Sequence, residues 1–447
     1  MSTGKEAEAR IDSIVNEYVS PDGPGFSLLV GRDRRIIVNK GYGMADVEKR
    51  IPMAVDSRTV IGSVTKQFTA TAVMMLKHRG LLDYDESIAR FFPDFPAYRD
   101  RVSVRHLLHH LSGIPEYLTD EFWQGSADGR YPELRSVFEL IKSMGDLEFE
   151  PGRRWRYCNS GYIMLGSIIE QVSGQSFASF IKAHIFDPLG MGDSLVGEND
   201  NRVPRMAVGY EYTGKTEFKP APWHFVVVGW ADGNIISCAQ DLFTWGQSLY
   251  TDRLLPYEVA AEAFVPCRPL DPSFSRYGFG HTITERRGVR EIHHGGGTLG
   301  YTTWFTRFPD ERLTIAMLSN AAGIANTEIA GRIAELFIGE KLAPLAAIAL
   351  PPSQMAEKAG RYSSVPRGKE IWAEVRVEAG ELVIEADFPP PGGKRSVLLP
   401  LSRDLFCENR HTDSYVQFVW RDGAVVGLRL VTGGGVMNFT RVDDSGA

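Results

Sequence analysis

The chain has 447 residues, of which 43% are hydrophobic and 23% are charged, and its formal net charge is −7. This length exceeds one ordinary domain and predicts two or three, with enough apolar residues for a large core. The negative charge and the lack of a basic stripe in the sequence exclude nucleic acid as an expected partner.

An amphipathic helix is predicted near the start of the chain, where apolar residues follow helical spacing from Ile11 to Val19. A segment rich in proline and glycine at 21–25 ends this helix. Two strands are predicted next, at 26–30 and 36–39, and an arginine-rich turn joins them.

A second helix is predicted to begin at or just before Ser63, because an apolar stripe follows and Gly80 supplies a stop. Residues three apart lie side by side on a helix, so the Ser63 hydroxyl and the Lys66 amine point the same way. A neutral lysine can remove the serine proton, and burial makes a lysine neutral. The S-x-x-K spacing therefore predicts a nucleophile with its own base, although alone it also fits a surface helix with a solvated lysine.

The pattern from 80 to 200 is mostly helical, and 156–173 contains a clear helix that ends at Gly174. Just before that helix, Tyr157 and Asn159 are two residues apart and project from the same face of an extended segment. A phenol near cations can relay a proton, and an amide can hold a substrate carbonyl. Taken alone, the pair equally fits a packing tyrosine and a helix N-cap.

Strand and helix signals mix from 225 to 340, with strands predicted at 301–308 and 312–319 and a helix at 327–338. Four of the six residues after His294 are glycines. Glycines in a strand allow close approach to the backbone, and their exposed N–H groups are suited to an oxyanion hole.

A composition shift at 340–355 leads into a series of short strand-like segments that turns separate. This spacing predicts a small antiparallel barrel or sandwich of about a hundred residues. The predicted strands are 371–377, 382–386, 397–400, 415–420, 425–431 and 436–441.

The cysteines are few and widely spaced, which predicts neither a zinc site nor a disulfide framework. They are Cys158, Cys238, Cys267 and Cys407. The N-terminal residues lack the apolar segment of a secretion signal, and no stretch reaches the length of a membrane span. A cytoplasmic location is therefore expected.

Three motifs occur in a distinctive order: S-x-x-K at Ser63, Y-x-N at Tyr157 and H-G-G at His294. Together they resemble the serine β-lactamase and penicillin-binding-protein superfamily, and most closely its class C-like branch. The resemblance covers about residues 10 to 340. Further segments similar to that branch are 102–114, 149–152 and 185–191.

The resemblance implies an α+β fold, in which an antiparallel sheet is flanked by helices and joined by a largely helical subdomain. The C-terminal region resembles the eight-stranded, lipocalin-like β-barrel found on some relatives. The expected domains are a serine hydrolase domain at 1–340, a linker at 341–355 and the barrel at 356–447.

The resemblance also implies catalytic roles. Ser63 is the expected acylated nucleophile, and Lys66 is the amine that accepts its proton. Tyr157 is expected to pass a proton to the leaving group and then to activate water. Asn159 is expected to orient Lys66 and the substrate amide.

His294, which is also expected to be catalytic, takes the place that a lysine often holds in the family, and Gly296 and Gly297 follow it as expected substrate or oxyanion residues. The expected oxyanion hole pairs the backbone N–H of Ser63 with that of Gly297. Lys-Thr-Gly enzymes hold a substrate carboxylate with a fixed charge and a hydroxyl. His294 is at most partly charged near neutral pH, and Gly295 has no hydroxyl.

The H-G-G form therefore favours a D-aminopeptidase or amidase acting on short amides or peptides with an N-terminal D-residue. A carboxylesterase is the alternative. A β-lactamase, a D,D-carboxypeptidase and a non-hydrolytic penicillin sensor are disfavoured. No cofactor and no metal are expected, the expected partner is a small-molecule or short-peptide substrate rather than nucleic acid or membrane, and homodimer formation is left open.

The histidines allow two other interpretations. H-G-G-G also matches the oxyanion loop of α/β-hydrolases, but that fold needs a G-x-S-x-G elbow later in the chain, which this sequence lacks. His106, His109 and His110 lack the glutamate of an H-E-x-x-H zinc motif, so packing roles are expected. His293 is expected to be a strand residue that faces away from His294.

Overall fold

The chain divides into two compact units, one containing Met1–Ile283 and Arg290–Asn326, the other Thr284–Val289 and Thr327–Ala447. The computed structural model describes residues 4–119, 122, 134–197, 203–213, 217–221, 230–270, 276–365, 370–386, 395–409, 411–412, 414–432 and 435–442. Part of the predicted helical stretch, at 120–121, 123–133 and 198–200, lies outside these residues. The boundaries expected at 340 and 356 stay a prediction.

The helices of the described residues confirm the main helical predictions. The first helix, Gly4–Val15, starts before Ile11 and ends before Val19. The helix Asn159–Ser173 stops at Gly174 as predicted, where the C-cap glycine has a left-handed conformation with φ +70°. The α-helices include α1 (Gly4–Val15), α2 (Thr65–His78), α3 (Val104–Leu108), α4 (Leu134–Ser143), α5 (Asn159–Ser173), α6 (Phe177–Ile181), α7 (Asp187–Leu189), α8 (Ala239–Ser248), α9 (Tyr257–Ala260), α10 (Asn326–Ile338) and α11 (Pro352–Ala356).

Short helical turns and strands complete the part of the chain before the barrel. The 3-10 turns are Gly62–Val64, Ile88–Arg90, Ala97–Asp100, Ala261–Phe264, Pro309–Glu311 and Gly339–Lys341, and a π-helical turn is Lys182–Phe186. The strands are β1 (Phe26–Arg32), β2 (Arg35–Tyr42), β3 (Met44–Asp46), β4 (Ile51–Pro52), β5 (Thr59–Val60), β6 (Leu195–Val196), β7 (Tyr210–Tyr212), β8 (Phe218–Pro220), β9 (Ile235–Ser237), β10 (Thr282–Arg286), β11 (Val289–Thr298), β12 (Tyr301–Phe308), β13 (Leu313–Ser319) and β14 (Ala321–Ala322).

The main sheet has six strands in the order β10-β11-β12-β13-β1-β2. Strands β1 and β13 pair antiparallel from Phe26 opposite Ser319 to Arg32 opposite Leu313. Both are almost entirely buried, as expected of central strands that are covered on both faces. The β1–β2 hairpin turns through Asp33 and Arg34, which have φ +50° and +65° and so suit a tight two-residue turn.

Helix α2 lies in the core of the first unit, and every residue from Thr65 to Leu76 is buried. A helix buried on all sides is a central element rather than a surface one. The chain passes directly over its first turn at Gly280, where an added Cβ would lie 2.6 Å from the Lys66 carbonyl oxygen. The 3-10 turn that carries Ser63 joins this rigid helix at its N-terminal end.

The second unit contains a closed eight-stranded barrel, so the open choice between barrel and sandwich is decided. Neighbouring strands pair antiparallel, and the barrel closes between its first and last strands at Arg361 and Val442. Six strands match predicted ones, and the strands at 360–364 and 405–409 were missed. The strands are β15 (Gly360–Ser364), β16 (Ile371–Glu378), β17 (Glu381–Ala386), β18 (Arg395–Pro400), β19 (Leu405–Asn409), β20 (Ser414–Arg421), β21 (Ala424–Thr432) and β22 (Gly435–Val442).

The α+β class with an antiparallel sheet and a C-terminal barrel is thus confirmed. All four cysteines are buried. Over the described residues, no helix combines the length and the apolar character that crossing a membrane requires.

Candidate active site

Ser63 and Lys66 lie side by side at the start of α2, as the S-x-x-K spacing predicts. Gly62 has φ +53°, which bends the chain into the 3-10 turn Gly62–Val64 before the α-helix begins. The Lys66 Nζ atom lies 3.1 Å from the Ser63 Oγ atom. Lys66 is fully buried, whereas Ser63 is partly exposed, so the hydroxyl is the accessible member of the pair.

Three acceptors surround the Lys66 amine. Besides the Ser63 hydroxyl, the Asn159 Oδ1 atom and the Asp232 backbone carbonyl each lie 2.7 Å from Nζ. Burial lowers the pKa of Lys66 to about 8, against the charges of Asp232 and Glu116, which raise it. A substantial fraction of this amine is therefore neutral near pH 8 and able to accept a proton.

Asn159 is fixed by a buried carboxylate that the sequence reasoning missed. Both its backbone N–H and its side-chain Nδ2 donate to Glu116 Oε2, at 2.8 and 3.1 Å. Because the amide nitrogen faces this carboxylate, the amide oxygen faces Lys66. Glu116 also satisfies the first N–H group of α5, since the N-cap residue Cys158 makes no side-chain cap.

The Tyr157 side chain lies beside the same amine and is partly exposed, although its hydroxyl oxygen is buried. Its ring centroid lies 4.9 Å from Lys66 Nζ, and its ring packs against the His110 ring at 4.3 Å. Burial holds the pKa of Tyr157 well above its usual value, and the neighbouring Ser63 hydroxyl opposes the shift. The phenol therefore stays protonated at physiological pH.

His294 uses both ring nitrogens within the protein. Its Nε2 lies 2.8 Å from the Tyr277 hydroxyl, and its Nδ1 lies 2.6 Å from the Gly295 carbonyl oxygen. Burial, followed by the charge of Lys66, lowers the pKa of His294 to about 3. The imidazole is thus neutral, with Nδ1 donating to the carbonyl and Nε2 accepting from Tyr277. Sequence reasoning missed Tyr277 as its partner.

The glycines after His294 bring β11 into backbone contact with the turn that carries Ser63. A Cβ atom added to Gly296 would lie 1.9 Å from the Ile61 carbonyl oxygen and 3.3 Å from the Ser63 nitrogen. One added to Gly62 would lie 2.6 Å from the Gly297 nitrogen. The backbone N–H groups of Ser63 and Gly297 are therefore brought into the same neighbourhood.

Alanine at Gly296 is expected to destabilise the protein by about 2 kcal/mol or more, because backbone rather than a flexible side chain occupies the space for its methyl group. Alanine at Gly297 is the matched control, since an added Cβ there meets no described atom within 4 Å. Chemical denaturation of both variants measures the difference. Equal stabilities would contradict the close approach of β11 to the Ser63 turn.

His106, His109 and His293 have packing or hydrogen-bonding roles. His106 completes a capping box with Ser103 at the start of α3, and His109 Nδ1 lies 3.1 Å from the Tyr277 carbonyl oxygen. His293 stacks on the Trp304 ring, with centroids 4.7 Å apart. Within the described ranges, no group of three or more His, Cys, Asp or Glu residues is arranged to hold a metal ion.

Comparison with known proteins matches residues 11–338 to the family described as Beta-lactamase. Penicillin-binding protein 4* of Bacillus subtilis (strain 168) is 32% identical over 308 residues, which are 66% of this chain and 67% of that protein. The D-aminopeptidase of Gluconobacter oxydans (strain 621H) is 26% identical over 405 residues, which are 86% of this chain and 76% of that protein. The solved octameric penicillin-binding protein homologue from Pyrococcus abyssi is similar with a TM-score of 0.66 at 26% identity, covering 98% of this chain and 100% of its own.

Proposed function

Because this chain belongs to the β-lactamase family and is a serine hydrolase, we propose that it cleaves short amides or peptides through an acyl-enzyme on Ser63. The preferred substrate in this proposal carries a D-residue at its N-terminus. The observation that carries the proposal is the buried Lys66 amine, 3.1 Å from the Ser63 hydroxyl and with its pKa lowered to about 8.

Acylation would begin when neutral Lys66 takes the Ser63 proton as Oγ bonds to the substrate carbonyl carbon. The resulting oxyanion would accept hydrogen bonds from the Ser63 and Gly297 N–H groups, and each such donor is typically worth about 3 kcal/mol in the transition state. As the carbon–nitrogen bond breaks, protonated Tyr157 would give its proton to the leaving nitrogen and regain one from Lys66. Water would then cleave the ester by the same transfers in reverse.

Asn159 would keep this machinery aligned rather than move protons itself. Its Oδ1 atom holds the Lys66 amine at 2.7 Å, and Glu116 prevents the amide from turning. An amine held by fixed acceptors keeps its lone pair directed at one atom, which reduces the entropy cost of reaching the transition state.

The H-G-G motif at His294 supports an aminopeptidase or amidase rather than a β-lactamase or carboxypeptidase. A β-lactam or a C-terminal D-alanine presents a carboxylate, which a fixed positive charge binds well. His294 is neutral and both of its nitrogens are engaged, so this position supplies neither a charge nor a free donor. The similarity to a D-aminopeptidase over 86% of this chain supports the same choice.

Carboxylic ester cleavage is the second candidate, because the aromatic rings near Tyr157 can also accommodate an uncharged acyl group. The rings of Trp155, Tyr157 and Tyr277 lie within 6.4 Å of one another around His110. Tyr277 is buried, whereas Trp155 and Tyr157 are partly exposed. The exposed parts of these two rings suit an uncharged acyl or alkyl group as well as they suit the side chain of an amino acid.

The deciding experiment compares kcat/KM for D-alanine nitroanilide, a short-chain nitrophenyl ester and a chromogenic cephalosporin. The proposal expects the anilide to be cleaved at least about tenfold faster than its L-alanine counterpart, which differs only in configuration. Ester turnover without anilide turnover would favour the second candidate. Fast cephalosporin hydrolysis without anilide turnover would overturn the argument from His294.

One relative is a penicillin-binding protein, so the control must distinguish a hydrolase from a non-hydrolytic penicillin sensor. The control measures the intact mass of the protein. After incubation with the cephalosporin, a hydrolase returns to its unmodified mass, whereas a non-hydrolytic sensor stays acylated. Persistent acylation together with no turnover of either other substrate would exclude the proposed enzyme.

The activity is expected to rise with pH, because the proposed base works only when Lys66 is neutral. With a pKa of about 8, kcat/KM should increase nearly tenfold per pH unit below that value and level off above it. The rates are measured from about pH 6 to 10 with a substrate that carries no nitrophenyl group, and chromatography quantifies its product. This choice avoids background absorbance from the chromophore. A rate that falls with rising pH across this range would contradict a neutral lysine base.

We also propose a division of the chain into domains. Residues 1–340 would form the hydrolase domain, 341–355 a linker and 356–447 the lipocalin-like barrel. A cytoplasmic location stays a prediction, and homodimer formation stays open.

A further inference from the structure

Tyr157 lies in a stretch of chain without regular secondary structure of its own. Residues 154–158 belong to neither a helix nor a strand, and α5 begins only at Asn159. The backbone of such a stretch has to be held by groups from other parts of the chain. A proton relay works only when its hydroxyl stays within about 0.5 Å of the productive position. The proposed reaction therefore depends on the residue that holds Tyr157.

His110 contacts this stretch on both sides of Tyr157. Its backbone carbonyl accepts from the Arg156 N–H at 3.0 Å, and its ring nitrogen Nδ1 accepts from the Cys158 N–H at 3.1 Å. Its ring also packs on the Tyr157 ring, with centroids 4.3 Å apart. A single residue thus constrains both the backbone and the ring of Tyr157.

The backbone of His110 has an uncommon conformation. It follows helix α3 with φ +59°, in the left-handed region that residues other than glycine seldom adopt, and it is 1% exposed. Such residues are held in place by their surroundings and are concentrated at functional sites. With this conformation, the carbonyl and the ring of one residue both reach the stretch around Tyr157.

The ring of His110 is itself confined by aromatic neighbours. Its centroid lies 4.6 Å from that of Tyr277, whose hydroxyl lies 2.8 Å from His294 Nε2. It lies 5.0 Å from that of Tyr162, whose ring is 5.4 Å from Lys66 Nζ. Because packed interiors leave little free space, the His110 ring cannot move without displacing these neighbours.

His110 is not itself a proton carrier in this arrangement. Its Nδ1 accepts from the Cys158 N–H, so the proton of the neutral ring is on Nε2. Burial first, and then the charge of Lys66, holds the pKa of His110 well below its usual value. The ring therefore stays neutral, and no nitrogen is free to accept a proton from Tyr157.

We infer that His110 is a positioning residue, which holds the Tyr157 hydroxyl in place for proton transfer to the leaving group. This inference rests on the proposed function, in which Tyr157 gives up that proton. The hydroxyl is at the far end of the ring, so a backbone rotation of about ten degrees moves it by about 1 Å, a displacement that can cost about a hundredfold in rate. No proton passes to or from His110.

The test uses two esters of butyric acid that differ in how much their leaving groups need a proton. An ethyl ester releases strongly basic ethoxide, which needs a proton as it departs, whereas a nitrophenyl ester releases weakly basic nitrophenolate, which does not. Misplacing Tyr157 should therefore slow the ethyl ester selectively. The measurement is kcat/KM for each ester, corrected for the fraction of protein that a serine-directed phosphonate labels. A general loss of folded protein would leave the ratio of the two values unchanged.

Two substitutions at His110 separate its contacts. Glycine and asparagine both adopt positive φ readily, so both variants should fold, and neither carries the ring. Asparagine keeps an acceptor near the position of Nδ1 for the Cys158 N–H, and glycine does not. His110→Gly should lower kcat/KM about a hundredfold for the ethyl ester and less than about tenfold for the nitrophenyl ester. His110→Asn should lower the ethyl ester value about three- to tenfold and the nitrophenyl value less than about twofold, and it carries the test if the glycine variant does not fold.

A double variant shows whether His110 acts through Tyr157. Once Tyr157→Phe has removed the hydroxyl, adding His110→Gly should cost less than about a further threefold for the ethyl ester, because the two changes affect one proton transfer. His109→Asn is the matched control. His109 is an adjacent buried histidine whose Nδ1 lies 3.1 Å from the Tyr277 carbonyl oxygen, so its substitution should leave the ester ratio unchanged.

The outcomes distinguish this inference from the proposed function. An unchanged ester ratio in both His110 variants, or a full further loss in the double variant, overturns the positioning role while the proposed function stands. Ester cleavage by the unmodified protein without anilide cleavage overturns only the preference for amides. An unmodified protein that cleaves neither ester nor the anilide overturns the proposed function and this inference together.

Discussion

Replacing Ser63 with alanine is expected to abolish hydrolysis, lowering kcat by at least about a thousandfold for every substrate that the enzyme turns over. In the proposed reaction the Ser63 Oγ atom forms the ester, and without it Lys66 has no proton to accept. A serine-directed phosphonate should label the unmodified protein once and leave the variant unlabelled. Intact-mass spectrometry of both proteins measures this directly.

The Ser63→Ala variant should remain folded, because the Lys66 amine keeps its other two acceptors on Asn159 and Asp232. Ser160 offers a matched control close to the site. Its hydroxyl donates to the Pro115 carbonyl at 2.6 Å and accepts from the Tyr117 N–H at 2.9 Å, so its role is structural. Ser160→Ala should lose about 1–3 kcal/mol of stability and still be labelled. Stoichiometric labelling of Ser63→Ala would remove Ser63 as the nucleophile.

The sequence pattern predicts a strand where apolar residues run continuously, as in β1, or where they alternate, as in β20, whose burial alternates from Ser414 to Phe418. Strand β19 was missed because a charged residue takes an inward position: Phe406 is in the barrel core, and Glu408, two residues later, is 7% exposed. Burial raises the pKa of Glu408 to about 7, so a residue that reads as a surface charge in the sequence is largely shielded from solvent.

In the site, the sequence predicts the residue pairs that are close in the chain and misses the contacts that only the folded chain creates. Helical and extended spacing account for Ser63 with Lys66 and for Tyr157 with Asn159, because each pair is close in the sequence. Asp232 reaches Lys66 through a backbone carbonyl, which any residue type would supply, so no sequence signal marks it. The neutrality of His294 likewise depends on burial by the folded chain. From the sequence alone, the ordinary pKa of a histidine predicts a partly charged side chain.

Replacing Tyr157 with phenylalanine is expected to lower kcat by about 10²- to 10⁴-fold while leaving the fold intact. The substitution keeps the ring that packs on His110 and lies 4.9 Å from Lys66 Nζ, and it removes only the proton-carrying hydroxyl. Tyr162 is the matched control, because its ring is 5.4 Å from the same amine but its hydroxyl donates to the Leu108 carbonyl. Tyr162→Phe should cost about 1 kcal/mol of stability and keep most of the activity.

The pH profile of the slower Tyr157→Phe enzyme then identifies the base. The pKa of Tyr157 lies well above its usual value and that of Lys66 is lowered to about 8, so only the lysine loses its proton in the range where the rate is expected to rise. If Lys66 is the base and Tyr157 the relay, the variant should keep a rise in kcat/KM near pH 8 while the whole curve moves down. A curve that becomes flat would assign the titrating base to Tyr157, and a rate near that of the unmodified enzyme would remove Tyr157 from the proton path.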